Sequence, residues 1–474
     1  MALQTCGKPS ARLGKSASTP MPWPWTYRPE RISPTCLAQA ICKFSPIQRI
    51  SSAAWPRCTG ACPGSPTHCI VLSSEVDSSY KHPLGDVASA TLAVGTGAYM
   101  SQRNAVLLDG NALKLGLFGA NCASGRTYAT LPERWEASWT NNVQLAQLAD
   151  ATGVECMIPI ARWKGYGGVS NPNGSSFESI AWACGLLAVT QYVNVFCTVH
   201  VSLHHPLVAA KQMATADHIG QGRFGVNLVC GWNEDEFQMF GVTPHEHDAR
   251  YAQGEEWWSI VTQTWSGTAP FDYNGTYYRL REVQGLPSPH EAQTPLMMNA
   301  GSSPAGRRFA IRHSNMHFDA VNSPEASSTR IAETKHLARA CGRQLQVWTP
   351  VGIICRPTQQ EAQEYMQHVI EHADQGALGY LADSHARDAH RRSAPERAWQ
   401  YSEASPLARR VLARGAYCVI GTPDVIAQEM VRLHTAGFDG LALNFVDYLA
   451  ELPYFAAEVL PRLERLGLRN PGLR

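Results

Sequence analysis

The sequence predicts an α/β fold, a (β/α)8 TIM barrel with insertions, preceded by a largely disordered N-terminal extension. From Leu113 onward, short apolar segments alternate with amphipathic segments of helical periodicity, which is typical of parallel βαβ units. About eight such apolar segments occur, and eight parallel strands in this order close most readily into a barrel. An open doubly wound sheet is the alternative, but the turn after the first strand, GANCASGR, has no G-x-G-x-x-G phosphate motif.

Strands are predicted where apolar runs are bounded by turn residues. These runs span residues 113–118, 155–160, 193–201, 224–229, 295–300, 316–320, 345–354 and 440–445. Helices are predicted where apolar residues recur at helical spacing, at 141–153, 179–188, 207–220, 249–264 and 422–437. The segment at 271–280 is different, because Asn-Gly between tyrosines is a hairpin signal.

Two regions lack this alternation. Residues 1–105 are rich in Pro, Ser and Cys, and Glu30 is the only acidic residue before position 70, so they are interpreted as a disordered or transit-like extension. The barrel domain is assigned to residues 106–474, and a polar, aperiodic stretch near 376–414 is interpreted as an insertion within it. The expected location is the cytoplasm, or the mitochondrion if the extension is a transit peptide.

The composition favours small molecules as ligands. The 40 Lys and Arg residues against 39 Asp and Glu residues give a formal net charge of +1, whereas nucleic acids and charged membranes attract strongly charged surfaces. No apolar run is long enough to predict a membrane span. The cysteines before residue 70 match no zinc spacing, and the later ones are interpreted as reduced thiols.

The chemistry is expected at the C-terminal ends of the strands, where enzymes of this architecture carry their reactive side chains. Those ends carry a ring of polar residues: Asn121, Arg162, Lys164, Thr198, His200, Asn227 and Asn299 to Ser303. No metal site is predicted, because His200, His204 and His205 lack carboxylate partners at ligand spacing. No G-x-S-x-G motif occurs, and Cys230 is interpreted as a packed thiol rather than a nucleophile. Hydrogen-bonding side chains, cations and a Gly-Ser-Ser turn suit a flat heteroaromatic cofactor with a phosphate.

The segment GRFGVNLVCGWNEDEFQMFG at 222–241, followed by Ala-Arg-Tyr at 249–251, resembles the flavin-dependent monooxygenases of the bacterial luciferase-like superfamily. Within it, the sequence is most similar to the branch of alkanesulfonate, nitrilotriacetate and pyrimidine monooxygenases. The resemblance runs from about Leu113 to Leu468. It includes the motifs RWKGYGG (162–168), FCT (196–198), NAGSSPAGRRFA (299–310) and GTPDVIAQEM (421–430). Several motifs in order carry more weight than any one alone.

The resemblance implies a set of cofactor-binding residues. They are Ala161, Arg162, Thr198, Asn227, Glu236, Arg250, Tyr251, Gly301 and Ser303. Thr198 and Asn227 would face the polar edge of the flavin ring. Arg250 and Tyr251, with Ser303 beside them, would reach its phosphate. The catalytic candidates are Thr198 and Asn227, for steering O2, and Arg162. Five of these residues also have a structural interpretation: Asn227 as a loop cap, Thr198 as a strand residue, Glu236 as a solvated carboxylate, and Arg250 and Tyr251 as helix-packing residues.

The resemblance further implies a two-component reaction, in which a separate NAD(P)H-dependent flavin reductase supplies reduced FMN. The protein would use reduced FMN and O2 to oxygenate a small organic substrate, namely a sulfonate, an amine or a pyrimidine-like compound. A homo-oligomer, dimer or tetramer, is expected. Two alternatives stay open: a hydride-transfer oxidoreductase with a deazaflavin coenzyme, and a non-catalytic flavin-binding protein.

Several positions depart from these relatives. Luciferases carry a His-rich turn where this sequence has RWKGYGG, so light emission is not expected. His200 and the pair His204-His205 stand where the pyrimidine enzyme is apolar and hydroxylic, which argues against a pyrimidine substrate. Arg162 and Lys164 suit an anionic substrate or the polarisation of an amide carbonyl, and Arg126 is a further candidate contact. The aromatic residues expected to line the site are Trp163, Tyr166 and Trp232.

Overall fold

The computed structural model describes residue 107 and residues 110–231, 233–267, 269–321, 323–387 and 405–471. All of them lie in Val94–Arg474, the second of two units into which the chain divides. The predicted extension at 1–105 and the middle of the predicted insertion therefore lie outside the described residues. No helix in the described ranges is both long and apolar enough to cross a membrane.

Eight parallel strands close into a barrel, which confirms the predicted (β/α)8 fold. The strands of the described chain are β1 (Lys114–Phe118), β2 (Cys156–Ile158), β3 (Asn194–His200), β4 (Phe224–Val229), β5 (Phe271–Asn274), β6 (Arg279–Val283), β7 (Leu296–Asn299), β8 (Met316–Phe318), β9 (Gln346–Cys355), β10 (Tyr417–Gly421) and β11 (Gly440–Asn444). Around the barrel the order is β1, β2, β3, β4, β7, β8, β9 and β11, and β11 pairs with β1 to close it. Because all these pairs are parallel, the eight C-terminal ends meet at one mouth.

Strand β9 carries a ninth parallel strand that the sequence analysis missed. Trp348 pairs with Phe318 of β8 on one edge and with Gly440 of β11 on the other. Beyond Trp348, β10 occupies the edge that β8 leaves, with Tyr417 opposite Val351. The sequence pattern did not predict β10, because a short apolar run such as this one cannot be distinguished from a buried helix or loop segment.

The predicted hairpin is confirmed. Strands β5 and β6 are antiparallel and form a separate sheet in which Asn274 lies opposite Arg279. The Asn-Gly pair begins the turn between them.

Helices cover the outside of the barrel. Those of the described chain are α1 (Trp139–Thr152), α2 (Ser179–Leu187), α3 (Pro206–Ile219), α4 (Glu234–Met239), α5 (His247–Ser266), α6 (Pro304–His313), α7 (Pro324–Ala340), α8 (Gln359–Glu371), α9 (Gln375–Arg387), α10 (Pro406–Ala413), α11 (Pro423–Thr435), α12 (Tyr448–Glu458) and α13 (Leu460–Arg465). Several begin at a Ser-Pro or Thr-Pro pair, where the hydroxyl accepts a hydrogen bond from a backbone N–H of the first turn and proline starts the helix.

The predicted insertion near 376–414 is helical at both described ends, α9 and α10. The description of this whole stretch as aperiodic is therefore corrected. Val411 and Leu412 of α10 are fully buried, in a cluster with Met366 of α8. Helix α10 is only eight residues long, and two arginines stand between its apolar residues. Its helical periodicity is therefore too short to stand out beside the polar stretch that precedes it.

The inside of the barrel is a packed core rather than a channel. Phe196, Met298 and Trp348 belong to one buried cluster of inward-facing residues. Glycine makes room for these rings, because a Cβ atom at Gly225 would lie 2.4 Å from the Phe196 ring, and one at Gly440 would lie 2.2 Å from Trp348. Side chains alternate between the two faces of a strand. Thr198, two positions after Phe196, and Asn227, two positions after Gly225, therefore also face inward, nearer the mouth.

A buried ion pair secures the opposite, N-terminal end of the barrel. Glu155, directly before β2, lies 2.9 Å from Nη1 of Arg469, which follows the last helix. Glu155 also accepts a hydrogen bond from the backbone nitrogen of Leu115 at 2.8 Å. Arg469 in turn donates to the carbonyl of Gly153 at 2.6 Å. The C-terminal segment is thereby fastened to β1 and β2.

Candidate functional site

Thr198 and Asn227 lie side by side at the barrel mouth, as neighbours in the register of β3 and β4. The Thr198 hydroxyl donates to the carbonyl of Pro159 at 2.7 Å and accepts from Asn227 Nδ2 at 3.2 Å. Asn227 Oδ1 is buried and has no hydrogen-bond partner in the part of the chain that the structure describes. An amide oxygen in this position is available to accept a hydrogen bond from a ligand.

Arg162 and Glu236 form a buried ion pair that joins the loop after β2 to α4. Arg162 Nη1 lies 3.1 Å from Glu236 Oε1, and each side chain is only 3% exposed. The same oxygen accepts hydrogen bonds from the backbone nitrogens of Trp163 at 2.9 Å and Lys164 at 3.4 Å. The alternative interpretation of Glu236 as a solvated carboxylate is therefore wrong. Glu236 instead fixes the loop that carries Arg162, and these donors offset the cost of burying its charge.

Arg162 stays cationic at the mouth. Burial alone would lower its pKa, but Tyr166 and Glu236 outweigh burial, so that the pKa of Arg162 lies above its ordinary value. The guanidinium carbon is 5.1 Å from the centroid of the Tyr166 ring, within the range of a cation–π contact.

A cavity of about 350 Å³ opens between the ends of β2 and β3 and the start of α2. Its lining consists of Ala161, Arg162, Trp163, Gly174, Ser175, Ser176, Phe177, Glu178, Ser179, Thr198 and His204. Ala161, Arg162 and Thr198 of the predicted site therefore share one cavity, and its size is that of a small-molecule pocket.

Arg250, Tyr251, Gly301 and Ser303 come together where α5 meets the turn after β7. The Tyr251 hydroxyl is hydrogen-bonded to Ser303, and a Cβ atom at Gly301 would lie 2.6 Å from the same hydroxyl, so the turn requires glycine. Arg250 Nη1 donates to the carbonyl of Gly231 at 2.7 Å. These four predicted residues do not line the cavity beside Arg162. The end of β4, which carries Asn227 and leads to Gly231, connects the two groups.

The side chains of two asparagines of the predicted polar ring form hydrogen bonds with backbone groups of neighbouring strands and loops. Asn121 exchanges hydrogen bonds with both backbone groups of Ile160, at 2.8 and 2.9 Å. Asn299 donates to the carbonyl of Leu228 at 2.7 Å and accepts from the nitrogen of Gly301 at 2.8 Å. Their role is to fix the loops that carry the site.

The aromatic residues predicted to line the site differ in their burial. Tyr166 is buried at the mouth, whereas Trp163 is 41% exposed and packs edge-on against Phe240. Lys164 is exposed, so of the two predicted cations only Arg162 is enclosed. Trp232 lies outside the described residues.

Two serines that the sequence analysis did not name position the catalytic candidates. Ser176 Oγ donates to the carbonyl of Arg162 at 2.6 Å, and Ser179 Oγ donates to the carbonyl of Thr198 at 2.7 Å. Both lie in a Ser- and Glu-containing stretch at the start of α2, a pattern that indicates helix capping and gives no signal of a site.

His200, the last residue of β3, is buried, and its Nδ1 has no hydrogen-bond partner among the described residues. Burial, followed by the nearby Arg162 and His204, lowers the pKa of His200 to about 3. The imidazole is therefore neutral at neutral pH and able to exchange a hydrogen bond.

His200→Asn is expected to make the protein less sensitive to acid. His200 titrates near pH 3 when folded but near about 6.5 when unfolded, so falling pH stabilises the unfolded state. Stability should fall by up to about 1.4 kcal/mol per pH unit between these values, and less steeply in the variant. Urea unfolding at a series of pH values measures this, with exposed His336→Asn as control. Parallel pH profiles for the wild type and His200→Asn would contradict the assignment.

Cys230 is a packed thiol, as predicted. It is buried beside α5, where a Cβ atom at Gly254 would lie 2.8 Å from its sulfur. Burial raises the pKa of Cys230 to about 12, so the nucleophilic thiolate is not populated at neutral pH. Among the described residues there is also no group of His, Cys, Asp and Glu that could hold a metal ion.

The arrangement of polar side chains on a parallel barrel can be compared with known proteins. Residues 113–440 match the protein family described as luciferase-like monooxygenase. The chain belongs to this family. The predicted family and enzyme class, a monooxygenase, are thereby confirmed.

Relatives of this luciferase-like monooxygenase match it over nearly their whole length. The FMNH2-dependent dimethylsulfone monooxygenase of Pseudomonas fluorescens (strain Pf0-1) is 31% identical over 366 residues, which are 77% of this chain and 98% of the relative. The pyrimidine monooxygenase of Enterobacter sp. (strain 638) is 26% identical over 359 residues, 74% of this chain and 96% of the relative. A riboflavin lyase solved with modified FMN and riboflavin has a TM-score of 0.65 at 22% identity, covering 76% of this chain and 93% of its own, which shows the shared fold.

Proposed function

We propose that this luciferase-like monooxygenase is the oxygenase component of a two-component system. It would receive reduced FMN from a separate NAD(P)H-dependent flavin reductase and use it with O2 to oxygenate a small organic substrate. The name of the FMNH2-dependent relative from Pseudomonas fluorescens supports the cofactor. The observation that carries the proposal is the buried, unpartnered Oδ1 of Asn227 at the mouth of the barrel.

The residues at the mouth fit the ring system of a flavin. Its polar edge alternates hydrogen-bond donors and acceptors, and the amide of Asn227 can offer one of each. Thr198 holds Asn227 Nδ2 at 3.2 Å, which fixes the orientation of that amide. A buried polar atom without a partner costs about 1–3 kcal/mol, and a ligand that supplies the missing donor would recover this cost.

The group formed by Arg250, Tyr251, Gly301 and Ser303 suits the phosphate of FMN. Arg250 has a buried Nε atom without a hydrogen-bond partner in the described ranges. The hydroxyls of Tyr251 and Ser303 and the tight turn at Gly301 add donors next to it. A guanidinium surrounded by hydroxyl and backbone donors is a common way to bind a phosphate.

When bound, reduced FMN supplies the electrons that activate O2. The chain itself would provide the surroundings for this chemistry. Thr198 and Asn227 would orient the ring and O2 through hydrogen bonds, and Arg162, held by Glu236, would supply positive charge nearby. The loop that Glu236 fixes would help to exclude bulk water from the mouth.

The proposal is tested with the purified protein, a generic flavin reductase, NADH, FMN and a panel of sulfonates, sulfones, amines and pyrimidines. The expected result is substrate-dependent O2 consumption with an oxygenated product. Parallel titrations with FMN and with a deazaflavin, followed by their absorbance, distinguish the cofactors. Preference for the deazaflavin, or binding of reduced FMN without oxygenation of any compound, would contradict the proposal.

Asn227→Ala is expected to lower the oxygenation rate at least about tenfold while the barrel stays folded, because the loss of one preorganised hydrogen bond at the reacting centre costs about 1.4 kcal/mol or more. Turnover measured with saturating reductase checks this, and circular dichroism checks the fold. Asn141→Ala, which alters a partly exposed asparagine of α1 whose side chain donates to the carbonyl of Glu136, is the matched control. An unchanged turnover number in Asn227→Ala would remove this residue from the mechanism.

A further inference from the structure

Two separate helices carry the residues that we propose for the phosphate of FMN. Arg250 and Tyr251 lie near the start of α5, and Ser303 is the N-cap of α6, where its hydroxyl accepts a hydrogen bond from the nitrogen of Gly306 at 3.0 Å. The Tyr251 hydroxyl is hydrogen-bonded to Ser303. The geometry of this group therefore depends on how α5 and α6 are held against each other.

Glu255 joins α5 to the other end of α6. It follows Tyr251 by four residues, so the two side chains lie on the same face of α5. Its Oε2 accepts a hydrogen bond from Nε2 of His313, the last residue of α6, and its Oε1 accepts one from Arg312 Nη1 at 3.3 Å. Hydrogen bonds therefore join the two helices at both the start and the end of α6. We call Glu255 and His313 the helix clamp.

Phe309 packs against both of these contacts. Its ring centroid lies 6.1 Å from that of Tyr251 and 4.9 Å from that of His313. Gly254 allows this close packing, because a Cβ atom at that position would lie 3.4 Å from the Phe309 ring and 2.8 Å from the sulfur of Cys230. Since a packed interior transmits displacements, movement at the His313 end of α6 would shift the ring that supports Tyr251.

The helix clamp is partly enclosed, and its carboxylate is stabilised there. The side chain of Glu255 is 33% exposed and that of His313 is 25% exposed. Burial alone would raise the pKa of Glu255, but the hydrogen bond and charge of His313, together with Arg312, outweigh burial and place that pKa below its ordinary value. Glu255 is therefore anionic at neutral pH. Arg343, in the segment before β9, donates to the carbonyl of His313 at 3.0 Å, so a second contact holds this end of α6.

We propose that the helix clamp positions Tyr251 and Ser303 for the phosphate of the flavin, and so makes the protein selective for FMN over riboflavin. This inference rests on the proposed function and adds two positioning residues to it. A phosphate is bound tightly when several donors are already in place, because ordering them during binding would cost affinity. Loosening α6 should therefore weaken the contacts to the phosphate and leave the contacts to the ring, which we assign to Asn227, unchanged.

The test compares two flavins that differ only in the phosphate. Reduced FMN and reduced riboflavin are titrated anaerobically into the full chain, and the ratio of their dissociation constants measures the selectivity for the phosphate. Glu255→Ala is expected to lower this selectivity about tenfold through weaker binding of FMN, with the affinity for riboflavin unchanged. The matched control is Glu333→Ala, which removes a carboxylate of the neighbouring helix α7 that pairs with Arg307 of α6. It should retain the selectivity of the wild type.

Variants of His313 separate positioning from a general loss of structure. His313→Ala should lower the selectivity to the same extent, because it breaks the same contact, and it replaces Glu255→Ala if that variant does not fold. His313→Gln retains a donor for Glu255 and should recover part of the selectivity. Unchanged selectivity in Glu255→Ala and His313→Ala, an equal loss of affinity for both flavins, or equal affinities of the wild type for both would overturn the inference. Wild-type protein that binds neither flavin would contradict the proposed function itself, and the inference with it.

Discussion

Glu236→Ala is expected to lower the affinity for reduced FMN about a hundredfold, because truncating one partner of a buried charge pair costs about 2–5 kcal/mol. Glu236 Oε1 lies 3.1 Å from Arg162 Nη1 and also accepts from the nitrogen of Trp163 at 2.9 Å. Without this carboxylate, the loop after β2 loses the contact that fixes it to α4, and Arg162 loses its counter-charge. The measurement is an anaerobic titration followed by flavin absorbance.

The matched control is Glu234→Ala, which removes an exposed carboxylate from the first turn of the same short helix. It should bind reduced FMN like the wild type. Glu236→Gln retains an acceptor oxygen without the charge, and its affinity should lie between those of Glu236→Ala and the wild type. Equal affinities of Glu236→Ala and Glu234→Ala would show that the ion pair does not organise the flavin site.

Glu155→Ala is expected to destabilise the barrel by about 3–5 kcal/mol, the usual cost of removing one partner from a buried ion pair. The Glu155 side chain is fully buried, and Arg469 is 5% exposed, so the remaining guanidinium could not be hydrated without opening the structure. The free energy of unfolding in urea measures the effect. Because the pair lies at the end of the barrel opposite the mouth, the affinity of the folded protein for reduced FMN should not change.

Glu333→Ala serves as the control for this ion pair. Glu333 lies 2.7 Å from Arg307, but its side chain is 59% exposed, and solvent-exposed pairs contribute little to stability. Its unfolding curve should therefore match that of the wild type. An equally stable Glu155→Ala variant would mean that the C-terminal segment is not fastened through Glu155.

The sequence predicted the barrel strands because each is a mostly buried, mainly apolar run between turn residues. Strand β3 shows why this works, since all seven of its residues are buried, and a strand of a parallel barrel has both faces covered. Strand β10 could not be counted in the same way. Its place beside Val351 depends on the edge that β8 leaves free on β9, and no local pattern encodes that edge.

The candidate site was predictable where its residues lie at strand ends. Thr198 and Asn227 were both named from that position, and the register of β3 and β4 places them opposite each other. The partners of these residues were not predictable. Arg162 and Glu236 are 74 positions apart, and their pairing depends on how the loop after β2 folds against α4.

The sequence by itself determined the parallel barrel, the family and the strand positions that carry polar side chains. Each of these follows from local patterns of apolar residues and from motifs within one segment. Only the tertiary structure decided which polar side chains are buried and that Arg162 pairs with Glu236. Burial and charge pairing are set by distances between segments far apart in the chain, and those distances exist only after the barrel has closed.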